Sequence, residues 1–321
     1  MRRAFEILRL LSDGGLHSGE DLALSLGITR AAVWNQIRRL RTEGLSIAAT
    51  AGGGYQLGCK FEGLDSAEIE QHLNQEGCTL FRCHVEDVID STNTRLLLQS
   101  VKSNIHRQAL FAEFQTTGRG RRGDKWVSPP GSGICFSLGY VFDAPPATFS
   151  ALSLVVGISL IEALKKIGVR GIKLKWPNDI VRGDEKVAGI LIEMRAEASG
   201  ASRTVIGIGL NFELPEEVAK LVDRPVGDLG HHVTEKFNRN QVAAKILHAL
   251  GVNLLRFETT GFVAFHDDWR DSDALSGRNI LLALGTRQVK GVSRGVDKNG
   301  ALLLETNNGL ESFLSGHLTV V

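Results

Sequence analysis

The stretch that most restricts the fold is Gly118-Arg119-Gly120-Arg121-Arg122-Gly123-Asp124-Lys125-Trp126, set just after the apolar run 109–114 and Gln115. Its glycines have the spacing of a dinucleotide-binding turn. Such a turn requires a helix to open at the glycines, so that the helix N-terminus faces a pyrophosphate. Here Pro129, Pro130, Gly131 and Gly133 follow instead, and the next apolar run, 134–141, has the length of a strand. The Rossmann arrangement therefore fails. No Gly-Lys dipeptide occurs anywhere in the chain, so a Walker loop is absent too. What remains is a strand–loop–strand unit whose glycines let the backbone approach a ligand and whose arginines offer forked donors to phosphate or carboxylate. A merely solvated loop is the alternative, but Trp126 and the flanking strands give this one something to close upon.

The front of the chain has a different character. Phe5, Leu8 and Leu11 recur at helical spacing, and Ser18 and Thr29 precede two further helical patterns separated at Gly27. From Arg30 to Thr42 there are four arginines and no acid. Residues 45–50 and 55–57 predict two short strands around the turn Gly52-Gly53-Gly54. Helix, turn, basic helix and glycine-tipped hairpin in this order predict a winged helix-turn-helix, with Thr29, Arg30, Asn35, Gln36, Arg38 and Arg39 as DNA contacts. A basic solvated helix in a small packing module is the plainer alternative. Residues 1–60 hold eight Lys/Arg against five Asp/Glu, hence +3, within a chain whose net charge is only +1.

Further along, Ser91-Thr92-Asn93 follows a short apolar run, and Lys175-Trp176-Pro177-Asn178-Asp179 follows another. Lys186-Val187-Ala188-Gly189 opens a third, and Gly207, Gly209 and Asn211 mark a fourth. Lys186 in isolation is ordinary for a strand edge, where lysines discourage edge pairing. No apolar run approaches the ~20 residues of a membrane span, and acidic residues break any signal-like segment near the N-terminus, so a cytoplasmic protein with no membrane partner is expected. Cys59, Cys78, Cys83 and Cys135 form no CxxC pair. They predict reduced structural thiols, with Cys78, Cys83 and His84 as a remote metal alternative.

Taken together, these motifs resemble the bifunctional biotin–protein ligases that also repress the biotin operon, over essentially the whole chain. The resemblance implies an α+β molecule in three parts. These are a winged helix-turn-helix (1–60), a mixed α/β catalytic domain of the biotin/lipoyl ligase type (61–270) and a small SH3-like β-barrel (271–321). It implies that biotin and ATP, with Mg²⁺, form biotinyl-5′-adenylate, and that biotin then passes to a lysine of the biotin carboxyl carrier protein of acetyl-CoA carboxylase. It also implies operator DNA as a partner, and a homodimer when adenylate is bound. By position, Ser91, Thr92, Gln115 and the Gly118–Gly120 backbone would hold biotin, with Asn93, Trp126, Gly189 and Gly207 around it. Arg119 and Arg121 would face the carboxylate and phosphates, and Lys186 the reacting oxygens. Asn178, Asp179 and Asn211 would lie at the nucleotide, Asp179 also at Mg²⁺. Lys186, Arg121 and Asp179 are the expected catalytic groups.

The chain departs from the family's pattern in three places. Asn35 and Gly53 stand where lysine is common, and no tryptophan occurs between Asn211 and Asn240 to pack on the adenine, Pro225 and Val226 lying nearest. A ligase that no longer represses, and a lipoate ligase on the same fold, are the competing expectations.

Overall fold

The computed structural model describes residues 2–50, 53–58, 61–196, 200–219, 222, 224–230, 233 and 235–321. Three helices, α1 (Arg2–Leu10), α2 (Gly19–Leu26) and α3 (Arg30–Thr42), precede the hairpin β1 (Ile47–Thr50) and β2 (Gly54–Leu57). Ser18 and Thr29 accept from the Asp21 and Ala32 amides and so cap α2 and α3, and Gly27 turns between them in the left-handed region (φ 61°). Phe5, Leu8, Leu11, Val33, Ile37 and Leu40 close the core of this unit. Gly54 has no substitute, because a Cβ there would lie 2.1 Å from the His17 carbonyl oxygen. Gly52, expected in the turn between these strands, and Cys59 lie outside the described residues.

The middle of the chain runs α4 (Ser66–Gln75), β3 (Arg82–Ile89), α5 (Thr92–Ser100), β4 (Gln108–Gln115), β5 (Gly133–Phe142), α6 (Leu152–Lys166), β6 (Ile172–Lys175), β7 (Asp179–Arg182), β8 (Glu185–Ala196), β9 (Ser202–Asn211), α7 (Glu216–Ala219), α8 (Arg239–Thr260) and α9 (His266–Ser272). The sheet order is β3-β4-β5-β9-β8-β7-β6, with β3 and β4 parallel and every other pair antiparallel. Strand alternation divides β4 between two cores: Ala109 and Phe111 join the one built with α4, α6 and α8, while Leu110 and Ala112 join Leu96 of α5. With the turn before it, α6 is apolar and long enough to cross a bilayer, but most of it is buried in this core.

Strands β10 (Asn279–Leu284), β11 (Arg287–Val296), β12 (Leu302–Thr306), β13 (Gly309–Phe313) and β14 (His317–Val320) form an antiparallel sheet in the order β13-β12-β11-β10-β14, consistent with the expected SH3-like barrel. The Trp176 indole donates to the Gly300 carbonyl at 3.0 Å and ties this sheet to the middle domain.

A buried ion pair fixes the segment that leaves the winged helix. Arg239, at the start of α8, donates to both oxygens of Glu113 (2.9 and 2.8 Å) and to the Glu62 carbonyl, and stands 5.7 Å from the Phe61 ring. The Leu64 amide donates to Glu113, and the Asp65 amide to Asn240 (3.0 Å). Removing one partner of such a buried pair costs about 3–5 kcal/mol. Arg9 adds a second tie to Asp87 at 2.6 Å, and Phe5 meets Phe114 at 6.3 Å. Cys78, Cys83 and Cys135 are buried free thiols, and burial pushes Cys83 up to about 12. Among the described residues no three His, Cys, Asp or Glu side chains converge as a metal cluster.

Candidate active site

The glycines of β8 and β9 make the floor of a cleft. A Cβ at position 209 would lie 2.3 Å from the Trp126 indole, one at 189 would lie 3.1 Å from it, and one at 207 would lie 2.2 Å from Asn93 Oδ1. The space these glycines leave is therefore filled by Trp126 and Asn93, which lie directly on the sheet. Trp126 is delivered by the glycine–arginine loop, which folds back on itself. The Trp126 amide donates to Gly118 O (3.0 Å) and the Gly120 amide to Asp124 O (2.7 Å). Arg122 and Gly123 take left-handed conformations at the tip. A Cβ at position 118 would meet the Trp126 carbonyl at 2.4 Å.

Partners from several strands hold the loop. Arg119 pairs with Glu193, and Arg121 donates to Asn178 Oδ1 at 3.2 Å. Asn178 in turn donates to the Ile190 carbonyl at 2.7 Å. Asp124 faces Arg224 at 3.8 Å. At the other end of the cleft Ser91 caps α5, and the Thr92 amide donates to Gln115 Oε1 at 2.9 Å. Asn93 donates to Glu193 at 2.9 Å and to the Leu191 carbonyl at 3.2 Å. Glu193 thus holds both Asn93 and Arg119, and the fully buried Ser137 donates to Asn93 Oδ1 from beneath.

Lys186 reaches the cleft because of a register shift. Asp179 pairs with Gly189 and Ile180 with Ala188, but Val181 pairs with Lys186, leaving Val187 as the extra residue of a bulge. That bulge turns Lys186 onto the face that Asp179 occupies; regular pairing would leave it on the other. Its Nζ lies 2.6 Å from Asp179 Oδ1 and 5.7 Å from the Trp126 ring, with the side chain 13 % exposed. Burial lowers the lysine pKa, and the Asp179 carboxylate opposes that shift. Residues 224–227 run beside it: the Lys186 amide donates to Pro225 O at 3.0 Å, and Asn211 donates to Gly227 O at 2.9 Å.

Two hollows meet here. One of about 370 Å³ is lined by polar groups that include Thr92, Gln115, Arg121 and Asn178. The other, about 570 Å³, has an aliphatic wall of Leu214, Val218, Val222 and Val226. Lys186, Trp126, Arg224 and His317 line both. The sequence-predicted site residues Ser91 to Asn93, Gln115, Arg119 to Arg121, Trp126, Asn178, Asp179, Lys186, Gly189 and Gly207 line the first hollow, and Asn211 the second. Gly118 acts one step back, in the loop's closure. Ser137, Glu193, Arg224 and His317 were missed. Ser137 and Glu193 carry a signal in retrospect, as lone polar residues within apolar strands; Arg224 and His317 carry none.

On α3, Arg30, Asn35, Arg38 and Arg39 are exposed, Thr29 is exposed and accepts from the Ala32 amide while keeping its O–H as a donor, and Gln36 is half-buried with Oε1 turned inward.

The profile of the Biotin/lipoate A/B protein ligase family matches residues 85–211, that of an HTH domain residues 3–56, and that of the Biotin protein ligase C terminal domain residues 275–317. The bifunctional ligase/repressor BirA of Salmonella typhimurium is 35% identical over 98% of this chain and 96% of its own length. The Escherichia coli protein of that name is 34% identical over the same shares. A biotin protein ligase from Aquifex aeolicus, solved in complex with biotin and ATP, superposes with a TM-score of 0.61 at 30% identity, covering 74% of this chain and 98% of that one. By these matches, the chain is a member of the bifunctional ligase/repressor family of biotin protein ligases.

Proposed function

We propose that this protein activates biotin with ATP and transfers it to a lysine of the biotin carboxyl carrier protein. In the same reading it represses biotin-synthesis genes as an adenylate-bound homodimer in the cytoplasm. The observation that carries the ligase reading is the position of Lys186 on the wall shared by two hollows of different chemistry. Biotin occupies the polar hollow, against Thr92 and Gln115 and beside Trp126. The nucleotide base packs on Leu214, Val218, Val222 and Val226, so aliphatic contact replaces the absent tryptophan. In this reading the domains keep the boundaries 1–60, 61–270 and 271–321.

The chemistry asks for cations at that junction. A carboxylate oxygen must approach a polyphosphate, and unit charges 4 Å apart interact by about 4 kcal/mol at an effective dielectric near 20. Lys186 and Arg121 offset this repulsion as the biotin carboxylate oxygen bonds to the α-phosphorus and pyrophosphate leaves. The carrier's ε-amine then attacks the anhydride carbonyl, and AMP departs. The loop covers an intermediate that water would otherwise hydrolyse. Magnesium is held by one or two carboxylates together with nucleotide phosphates, and it neutralises phosphate charge when bound. Asp179, which also pairs with Lys186 at 2.6 Å, would supply one carboxylate for that role.

The test is exchange of labelled pyrophosphate into ATP, with biotin, with lipoate and with neither, followed by transfer to the carrier domain. Exchange that depends on biotin and Mg²⁺ supports the reading. Equal exchange with lipoate favours the broader acyl-adenylating alternative. For repression, DNA binding is compared with and without ATP in the presence of biotin; no change would leave a ligase that does not repress.

A further inference from the structure

The outward face of α3 contains a residue that basic-patch reasoning overlooks. Exposed positions recur as Arg30 and Ala31, then Trp34 and Asn35, then Arg38 and Arg39, one stripe along the helix. Trp34 stands at its centre with half its surface (51%) in water. Apolar burial gives no reason for a ring to remain there, since Val33, Ile37 and Leu40 already fill the core side. The ring is also partnered: the Arg38 guanidinium lies 5.6 Å from its centroid, one helical turn on. No acidic residue lies between Arg30 and Thr42, so the surface around the ring complements a polyanion.

We propose that Trp34 and Arg38 act as one reading unit in the major groove, the ring packing on the 5-methyl of a thymine while Arg38, steadied over the ring, donates to O6 and N7 of a neighbouring guanine. The groove offers both groups: the thymine methyl is its apolar landmark, and guanine presents the paired acceptors that suit a guanidinium fork. A second helix of a helix-turn-helix brings such side chains to base edges. The stacked arrangement lowers the cost of ordering a long arginine side chain. The phosphate-directed cations of the same helix supply affinity without sequence information.

This proposal rests on the DNA-binding half of the proposed function, and the experiment separates the two. Full-length wild type, Trp34→Ala and Arg38→Ala, each with biotin and ATP, select binding sites from a pool of randomised duplexes. Anisotropy then measures the wild-type motif and a copy carrying uracil for the thymine. Wild type is expected to select a thymine beside a guanine, and to bind the uracil copy about fourfold more weakly, the effect of losing one buried methyl group. Trp34→Ala is expected to lose the thymine preference and the uracil effect while transferring biotin at the wild-type rate. Arg38→Ala is expected to lose the guanine. An unchanged motif with Trp34→Ala, or an equal uracil effect in both proteins, overturns the role of Trp34. A wild type that selects no motif overturns the repressor reading along with it, and pyrophosphate exchange reports the ligase independently.

Discussion

The loop 118–126 and the helix α3 are both rich in arginine, but the loop ties Arg119 and Arg121 to polar side chains while α3 leaves Arg30 and Arg39 in water. Arg119 meets Glu193 and Arg121 meets Asn178, within a hairpin closed by its own backbone. On α3, Arg30 and Arg39 make no ion pair among the described residues, Arg38 stands over the Trp34 ring, and Arg41 turns inward, to the Ile47 carbonyl. A guanidinium fixed by a partner acts on one ligand at one distance. An exposed one acts through counterion release, so its contribution is spread along the duplex and falls with salt. The same residue type therefore supplies geometry in one place and field in the other.

The largest expected effect tests the fixed side. Lys186→Ala should lower single-turnover adenylation by roughly 10²–10³-fold, the usual cost of one transition-state donor. A rate near wild type would remove Lys186 from the chemistry. Next, Gly209→Ala should raise the KM for biotin by roughly 5- to 100-fold, because the new Cβ lies 2.3 Å from Trp126 and overpacking of this kind costs about 1–3 kcal/mol. Steady-state kinetics with an unchanged KM would mean that Trp126 does not contact biotin.

A smaller effect concerns charge state. Burial lowers the Lys186 pKa, so the ammonium loses its proton at a pH below that of a free lysine. Adenylation should fall as pH rises through that lowered pKa, by about tenfold per unit beyond it. Lys186→Arg, which keeps its charge, should move this alkaline limb upward. A pH–rate profile identical in the two proteins would refute the assignment. The smallest effect belongs to the exposed side. Arg39→Ala should reduce the slope of log K against log salt by about 0.9, one phosphate contact, and leave biotin transfer unaltered. An unchanged slope would show that Arg39 does not face the duplex.

The two regions also differ in how much of them the sequence reveals. The winged helix is legible because each piece is local: caps at Ser18 and Thr29, a turn at Gly27, a regular apolar stripe. Within the cleft, strand ends and glycines are legible, and so are the residues between them. The bulge at Val187 is not, since nothing in Lys186-Val187-Ala188 distinguishes a bulged strand from a regular one. Arg224 and His317 arrive from distant parts of the chain and have no local signal. The long helix α8 is obscured for another reason. Its buried face includes Arg239, Asn240 and Asn253, paired with Glu113, Glu68 and Glu162, and these polar residues interrupt the apolar period that would announce a helix.

The ion pair of Arg239 and Glu113 has a consequence for the operator itself. A winged helix on a slack tether could adjust to many separations between half-sites. Here the tether is pinned at Phe61, Glu62 and Leu64, and Arg9 and Phe5 brace the unit against β3 and β4. In the proposed dimer, the distance between the recognition helices would follow from how the ligase domains meet. Base pairs inserted between half-sites would rotate one reading surface away from its groove, and the contacts at Phe61, Glu62 and Leu64 would resist its following.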